Sequence, residues 1–291
     1  MTRFLLDSGD PGEYKEISAL FAKNQHELWG ATTNPTLIAK KLAGSKISKE
    51  EALNLQKQIV LQIIDIVPGA VSAEVYANEH TKAEEMIEEG KEIATWHPRV
   101  VVKLPTTLEG FKARTALRQQ NIIINNTLVF SCEQIFAICL HERIAHKQFG
   151  IKEAPYPCFI SPFVGRLDDI GIDGISLVAH GIKMKQTYGF SPWILEASVR
   201  NSSHIQKGID LKTELITAPL NVYREWFARK KQNDNVSLLP IEYWEPPKEL
   251  FEIDTIEKFM QALESKKVAI EHELTTKGLI KFAEDWNAII Q

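Results

Sequence analysis

Short β-rich stretches recur along the chain, "RFLLD", "LWGATT", "AVSAEV", "RVVVKL", "NIIINNTLVF", "CFIS", "WILEAS" and "ELITAPL", with longer amphipathic stretches between them. This rhythm constrains the fold more than any single residue does. A strand followed by a helix brings the chain back parallel to where it started, and parallel sheets are covered by helices. The intervening patterns "SKEEALNLQKQIVLQII", "TKAEEMIEEGKEIATW", "LEGFKARTALRQQ" and "SCEQIFAICLHERIAHKQ" read as those helices, the last opening with Ser131 and Gln134 at capping-box spacing. Eight such strands predict an α/β fold, a closed (β/α)8 TIM barrel with additional C-terminal helices. A doubly wound open sheet has the same rhythm and is the rival, but no glycine-rich phosphate loop speaks for it. Near the end, "RKKQNDNVSLLPIEYWEPPKE" is polar and proline-rich before helical patterning resumes. Residues 1–291 are expected to form one domain, with 230–291 a loop plus helices packed on the outside of the barrel.

Composition excludes several partners. The 34 Lys and Arg against 38 Asp and Glu leave a net charge of -4, and no basic block follows a phosphate backbone, so nucleic acid is not expected. The apolar run in "MTRFLLDSGD" is too short for a signal-peptide core, and Gln58, Gln62, Asp65 and Pro68 interrupt "QIVLQIIDIVPGAV" before membrane-spanning length. A soluble cytoplasmic protein is the expectation, without a membrane partner. Cys132, Cys139 and Cys158 form no CxxC pair and read as packed free thiols. "HERIAH" has one residue too many between His141 and His146 for the zinc-binding HExxH, so no metal is expected and the stretch reads as a solvated helix face.

The unusual residues lie at strand ends, which in a barrel converge on one mouth. Asp7 ends the first strand, Thr33 and Asn34 follow the second, Glu74 lies in the third, Lys103 in the fourth, and Asn125 and Thr127 in the fifth. Ser161 and Arg166 follow the sixth, Ser198 and Arg200 the seventh. Lys103 interrupts the apolar run "RVVVKLP". In an apolar cavity a lysine amine favours its neutral form, which attacks carbonyls to form a Schiff base. Taken alone, it reads more readily as a stem that packs while its head reaches water. Asp7 and Glu74 are candidates for general acid or base beside that amine, or for simple ion pairing with it. Two arginines with two hydroxyls suit a phosphate, because guanidinium groups make paired, charge-assisted hydrogen bonds.

In order along the chain, "LLDSGD", "ATTNPTLI", "VSAEV", "VVVKLPTTLEGFKA", "INNTLVFS", "ISPFVGRLDD", "ILEASVRN", "ITAPL" and "LTTKGLIKFAEDW" resemble the transaldolase family over most of its length. The resemblance implies a (β/α)8 barrel and a cofactor-free, reversible transfer of a dihydroxyacetone unit between sugar phosphates in the non-oxidative pentose phosphate pathway. The donor would be sedoheptulose 7-phosphate and the acceptor glyceraldehyde 3-phosphate, giving erythrose 4-phosphate and fructose 6-phosphate. Lys103 would be the Schiff-base lysine, Asp7 the group that moves the C4 hydroxyl proton, and Glu74 with Thr127 the holders of the water used in forming and hydrolysing the imine. Asn34, Asn125 and Ser161 would position the hydroxyls of the three-carbon unit, while Arg166, Ser198 and Arg200 would bind phosphate. A homodimer also follows from the resemblance. In the related fructose 6-phosphate aldolases a glutamine resembles the position of Glu74 and a tyrosine that of Phe163, so both residues here resemble the transaldolase branch. The aldolase-like enzyme and a sugar-phosphate binder without catalysis are the alternatives; Asp7, Glu74, Lys103 and Thr127 would be expendable in the binder.

Overall fold

The computed structural model describes residues 1–34, 36–37, 46–152, 154–228 and 238–290. The strands in chain order are β1 (Arg3–Asp7), β2 (Leu28–Thr32), β3 (Val71–Glu74), β4 (Val100–Pro105), β5 (Ile124–Val129), β6 (Phe159–Pro162), β7 (Ile172–Asp173), β8 (Trp193–Glu196), β9 (Leu215–Ala218) and β10 (Leu239–Pro240). All except β7 and β10 close into a parallel barrel, and β9 returns to pair with β1 from Arg3 and Leu215 onward. That closing pair excludes the open sheet. β7 and β10 pair only with each other, outside the barrel.

Helices cover the barrel: α1 (Pro11–Lys23), α2 (Lys49–Ile64), α3 (Ala83–Thr95), α4 (Leu108–Arg118), α5 (Cys132–Phe149), α6 (Val164–Asp168), α7 (Gly174–Tyr188), α8 (Ser202–Asp210), α9 (Leu220–Phe227), α10 (Ile256–Glu264) and α11 (Glu273–Asn287). Their starts are written locally. Ser48 and Glu51 form a reciprocal capping box on α2, and the side chains of Asp10, Thr107 and Ser131 accept from the first-turn amides of α1, α4 and α5. Gly150 and Gly189 end α5 and α7 in the left-handed conformation that suits glycine. No described helix is long and apolar enough to cross a membrane.

Strand register aligns the chemistry. Glu74 pairs with Lys103 and Lys103 with Asn125, so three adjacent strands present these side chains at one level and to one face. Asp7 stands beside Thr32 in the same way.

The structure corrects one expectation about α5. His141 and Glu142 of "HERIAH" are fully buried rather than solvated, because Arg114 and Arg118 of α4 reach Glu142 and Phe259 of α10 packs on His141. Of this stretch Arg143 and His146 are exposed. All three cysteines are buried free thiols.

Residues 229–237 of the polar segment lie outside the described residues. Beyond them the chain follows α7, where Ser176 and His180 bond the backbone of Ile241, and Trp244 packs edge-on against Phe136 of α5. α10 also covers an outer face. α11 does not stay outside: Thr275 donates to the carbonyl of Leu128 at the end of β5, and the following turns cross the barrel mouth.

Candidate active site

A cavity of about 340 Å³ opens at the C-terminal ends of the strands. Asp7, Asn34, Lys103, Ser161, Phe163, Arg166, Ser198 and Arg200 all line it. Glu74, Asn125 and Thr127 stand behind that lining. Thr33, although at the mouth in sequence, turns its hydroxyl away to the carbonyl of Ser72, and only its own carbonyl serves the site.

Lys103 is the centre of the arrangement. Its Nζ lies 2.9 Å from Glu74 Oε2, with both side chains about 5% exposed or less, and donates to the Thr33 carbonyl at 3.3 Å. Phe282 of α11 covers the amine, its ring centroid 5.8 Å away. Burial pushes the Glu74 carboxyl above its ordinary range, and the charge of Lys103 only partly offsets this. The approach to Glu74 Oε2 is bent away from a directed hydrogen bond, so the pair is held by charge more than by geometry.

Around this pair lie two hydrogen-bonded chains. Ser161 Oγ donates to Asn125 Oδ1 at 2.7 Å, and Asn125 Nδ2 donates to Ser72 Oγ at 3.1 Å, which fixes the amide's orientation. On the other side Thr32 Oγ1 donates to Asp7 Oδ1 at 2.8 Å and lies 2.7 Å from Thr217 Oγ1. A hydroxyl has one proton, so Thr217 donates to Thr32 when Thr32 donates to Asp7. The Thr127 hydroxyl is buried and finds no hydrogen-bond partner among the described residues. It is free to hold a water or a substrate atom.

The opposite end of the cavity is cationic. Arg166 lies between the rings of Phe163 and Phe282, 5.3 and 5.1 Å from their centroids. Its guanidinium is depressed by burial and by the like charge of Arg200, both of which an anion would relieve. Arg200 is paired with Asp169 at 3.1 Å. Gly165 allows the close approach behind them, since a Cβ there would lie 2.2 Å from the Ser198 carbonyl oxygen. Ser198 itself is left-handed, at φ 58°.

Sequence reasoning missed Thr32, Thr217, Lys281, Phe282 and Asp285, which also line the cavity. Lys281 and Asp285 pair at 2.7 Å on α11, and Asp285 accepts from Thr36 at 2.5 Å, tying the helix to the far rim. Among the described residues no group of His, Cys, Asp and Glu is arranged to hold a metal ion.

The profile of the family described as Transaldolase/Fructose-6-phosphate aldolase matches residues 4–291. The chain belongs to this family. A protein of Phocaeicola vulgatus named "Probable transaldolase" is 36% identical over 222 residues, 76% of this chain and 88% of its own length. One of the same name from Maricaulis maris is 41% identical over 196 residues, covering 67% and 77%, and "Probable transaldolase 2" of Listeria monocytogenes is 35% identical over 222 residues, covering 76% and 86%. The family is one of enzymes, and the lysine, carboxylate and arginine positions that carry the sequence resemblance lie around the one cavity described above.

Proposed function

We propose that this enzyme is a transaldolase, moving a dihydroxyacetone unit from one sugar phosphate to another through a Schiff base on Lys103. The observation that carries the reading is the contact of Lys103 with Glu74 inside a cavity that has Asp7 on one wall and two arginines at its far end. A proton passed from Lys103 to Glu74 frees the amine, and the raised carboxyl of Glu74 favours that transfer. The amine adds to C2 of the ketose, and water leaves with Glu74 and Thr127 holding it. In the resulting protonated imine, Asp7 takes the C4 hydroxyl proton, the C3–C4 bond breaks, and its electrons enter the imine to give an enamine. The shortened aldose phosphate leaves. The acceptor aldehyde then enters, the enamine attacks its carbonyl carbon, and Asp7 returns the proton to the new alkoxide. Water held by Glu74 and Thr127 adds to C2 of the imine, breaking the C–N bond to release the product ketose and the Lys103 amine. Asn34, Asn125 and Ser161 hold the hydroxyls of the three-carbon unit; Arg166, Ser198 and Arg200 hold the phosphate of either aldose in turn.

Thr32 and Thr217 fit this scheme as the groups that orient Asp7. Glu74 and Phe163 favour transfer over simple aldol cleavage, in line with the "Probable transaldolase" relatives. The same reading places the enzyme in cytoplasmic non-oxidative pentose phosphate metabolism, with sedoheptulose 7-phosphate and fructose 6-phosphate as donors. An assay with fructose 6-phosphate, with and without erythrose 4-phosphate, tests it by following glyceraldehyde 3-phosphate. Release that requires the acceptor supports the transaldolase. Release without acceptor points to an aldolase, and no release under either condition leaves a binding protein.

A further inference from the structure

His204 lies outside the cavity and no step above uses it, yet it touches both segments that carry the arginines. It sits on α8, 3% exposed, with its backbone amide bonded to the Asn201 cap at 2.9 Å. Its Nδ1 is 3.3 Å from the backbone nitrogen of Arg200, and its Nε2 is 2.7 Å from Asp168 Oδ2. A backbone N–H only donates, so Nδ1 is the acceptor and Nε2 carries the proton given to Asp168. Asp168 ends α6, two residues after Arg166, and its other oxygen accepts from Gly174 N at 3.0 Å. Burial opposes ionisation of Asp168, but the bonds from His204 and Gly174 outweigh it and hold the carboxyl below its usual range.

We propose that His204 is a positioning residue for phosphate recognition, a rigid ring whose two nitrogens fix the loop of Arg200 against the helix of Arg166. This rests on the reading that those arginines bind phosphate. The need for such a clamp is local. The Arg200 loop contains the left-handed Ser198, and α6 has only five residues, too few to hold its own direction. On the cavity side two adjacent backbone bonds join them, Val164 N to Ala197 O at 3.0 Å and Gly165 N to Ser198 O at 3.1 Å, both at the first turn of α6. Both of those bonds lie at the start of α6, so they leave its far end to turn; His204 fastens that end, joining Asp168 to the Arg200 amide, and holds one guanidinium's direction relative to the other. A paired contact with phosphate depends on that spacing.

The test uses His204→Asn, which keeps an acceptor near the Nδ1 position, and His204→Gln, which keeps a donor near that of Nε2. Asp168→Ala cuts the same link from the other side if a His204 variant folds poorly. Each is compared with Arg200→Ala for the KM of fructose 6-phosphate and for competitive inhibition by inorganic phosphate. The expected result is a rise in KM of about tenfold or more in at least one His204 variant, phosphate inhibition weakening in parallel, and kcat changing by less than about threefold, because a displaced guanidinium affects binding geometry first. A merely structural histidine would lower kcat or the active fraction and leave both phosphate readouts alone. If Arg200→Ala raises the KM and weakens phosphate inhibition while all three other variants stay within about twofold of the parent, the clamp is wrong and the phosphate site stands. If Arg200→Ala itself leaves phosphate inhibition unchanged, the phosphate site is wrong and the proposal falls with it.

Discussion

Glu142, in the helical layer, faces two guanidinium groups; Glu74, inside the barrel, faces one ammonium. Both are buried, and burial alone would push either carboxyl upward. At Glu142 that push is overcome by Arg114 at 2.5 Å, by Arg118 at 2.7 Å and by His146 at 3.1 Å, so its carboxyl is held far below the ordinary range. At Glu74 the single contact with Lys103 is too little, and the carboxyl stays raised. The difference separates a structural charge from a reactive one. A carboxylate with surplus directed donors stays ionised and joins α4 to α5, whereas one left short of them can exchange a proton with its partner. The same shortage marks the Thr127 hydroxyl, buried with no hydrogen bond to satisfy it among the described residues.

The largest effect expected from breaking this contrast lies at the reactive pair. Lys103→Ala should lower kcat by roughly 10⁴-fold or more, since no neighbouring group replaces the nucleophile. It should also abolish borohydride trapping of the ketose, and covalent trapping in the variant would mean that another amine carries the intermediate. At the structural cluster, Glu142→Ala leaves two guanidiniums buried without their carboxylate. A loss of about 3–5 kcal/mol in urea unfolding is expected, with little change in the turnover of the folded fraction. A loss below about 1 kcal/mol would show that the arginines find water or other acceptors, and that the cluster holds little together. The sign with pH follows from the lowered carboxyl: the Glu142 contribution is present above the ordinary value of 4.5 and is lost as pH falls through the folded value.

These two carboxylates were not equally visible in the sequence. Glu74 and Lys103 each interrupt an apolar strand, where a charge needs an explanation, and the strand rhythm put a barrel that would bring them together ahead of the open sheet. Glu142 lies in a helix rich in polar residues, and what buries it, Arg114, Arg118 and the face of α10, comes from other helices. Its periodicity therefore read as solvent-facing. Thr32 and Thr217 were silent for a different reason: threonine is common in strands, and nothing local shows that two hydroxyls 185 positions apart meet beside Asp7. His204 is a lone histidine in a short polar helix, and its two contacts belong to the fold. α11 gave a motif by resemblance but no strand-end signal, so its passage across the mouth needed three dimensions.

A third buried carboxyl extends the comparison to its limit. Glu196, at the end of β8, is fully buried with neither oxygen hydrogen-bonded among the described residues, packed so closely on α8 that a Cβ at Gly208 would lie 2.0 Å from Oε2. Burial, with the charge of Asp168, raises its carboxyl well above 4.5, and Lys207 offsets little of this. Because the folded value is raised, the folded protein holds this proton more tightly than the unfolded chain. The resulting stability is complete below about pH 4.5 and is lost as pH rises toward the folded value. Glu196→Gln keeps the shape and removes the titration. Unfolding free energy measured from about pH 5 to 7 should therefore fall more steeply in the parent than in the variant, with the difference growing by about 1–2 kcal/mol against a ceiling near 1.4 kcal/mol per pH unit. Parallel curves would mean that Glu196 ionises in place, stabilised by Lys207 or by water, and the series from over-satisfied Glu142 through Glu74 to unpartnered Glu196 would then end at Glu74.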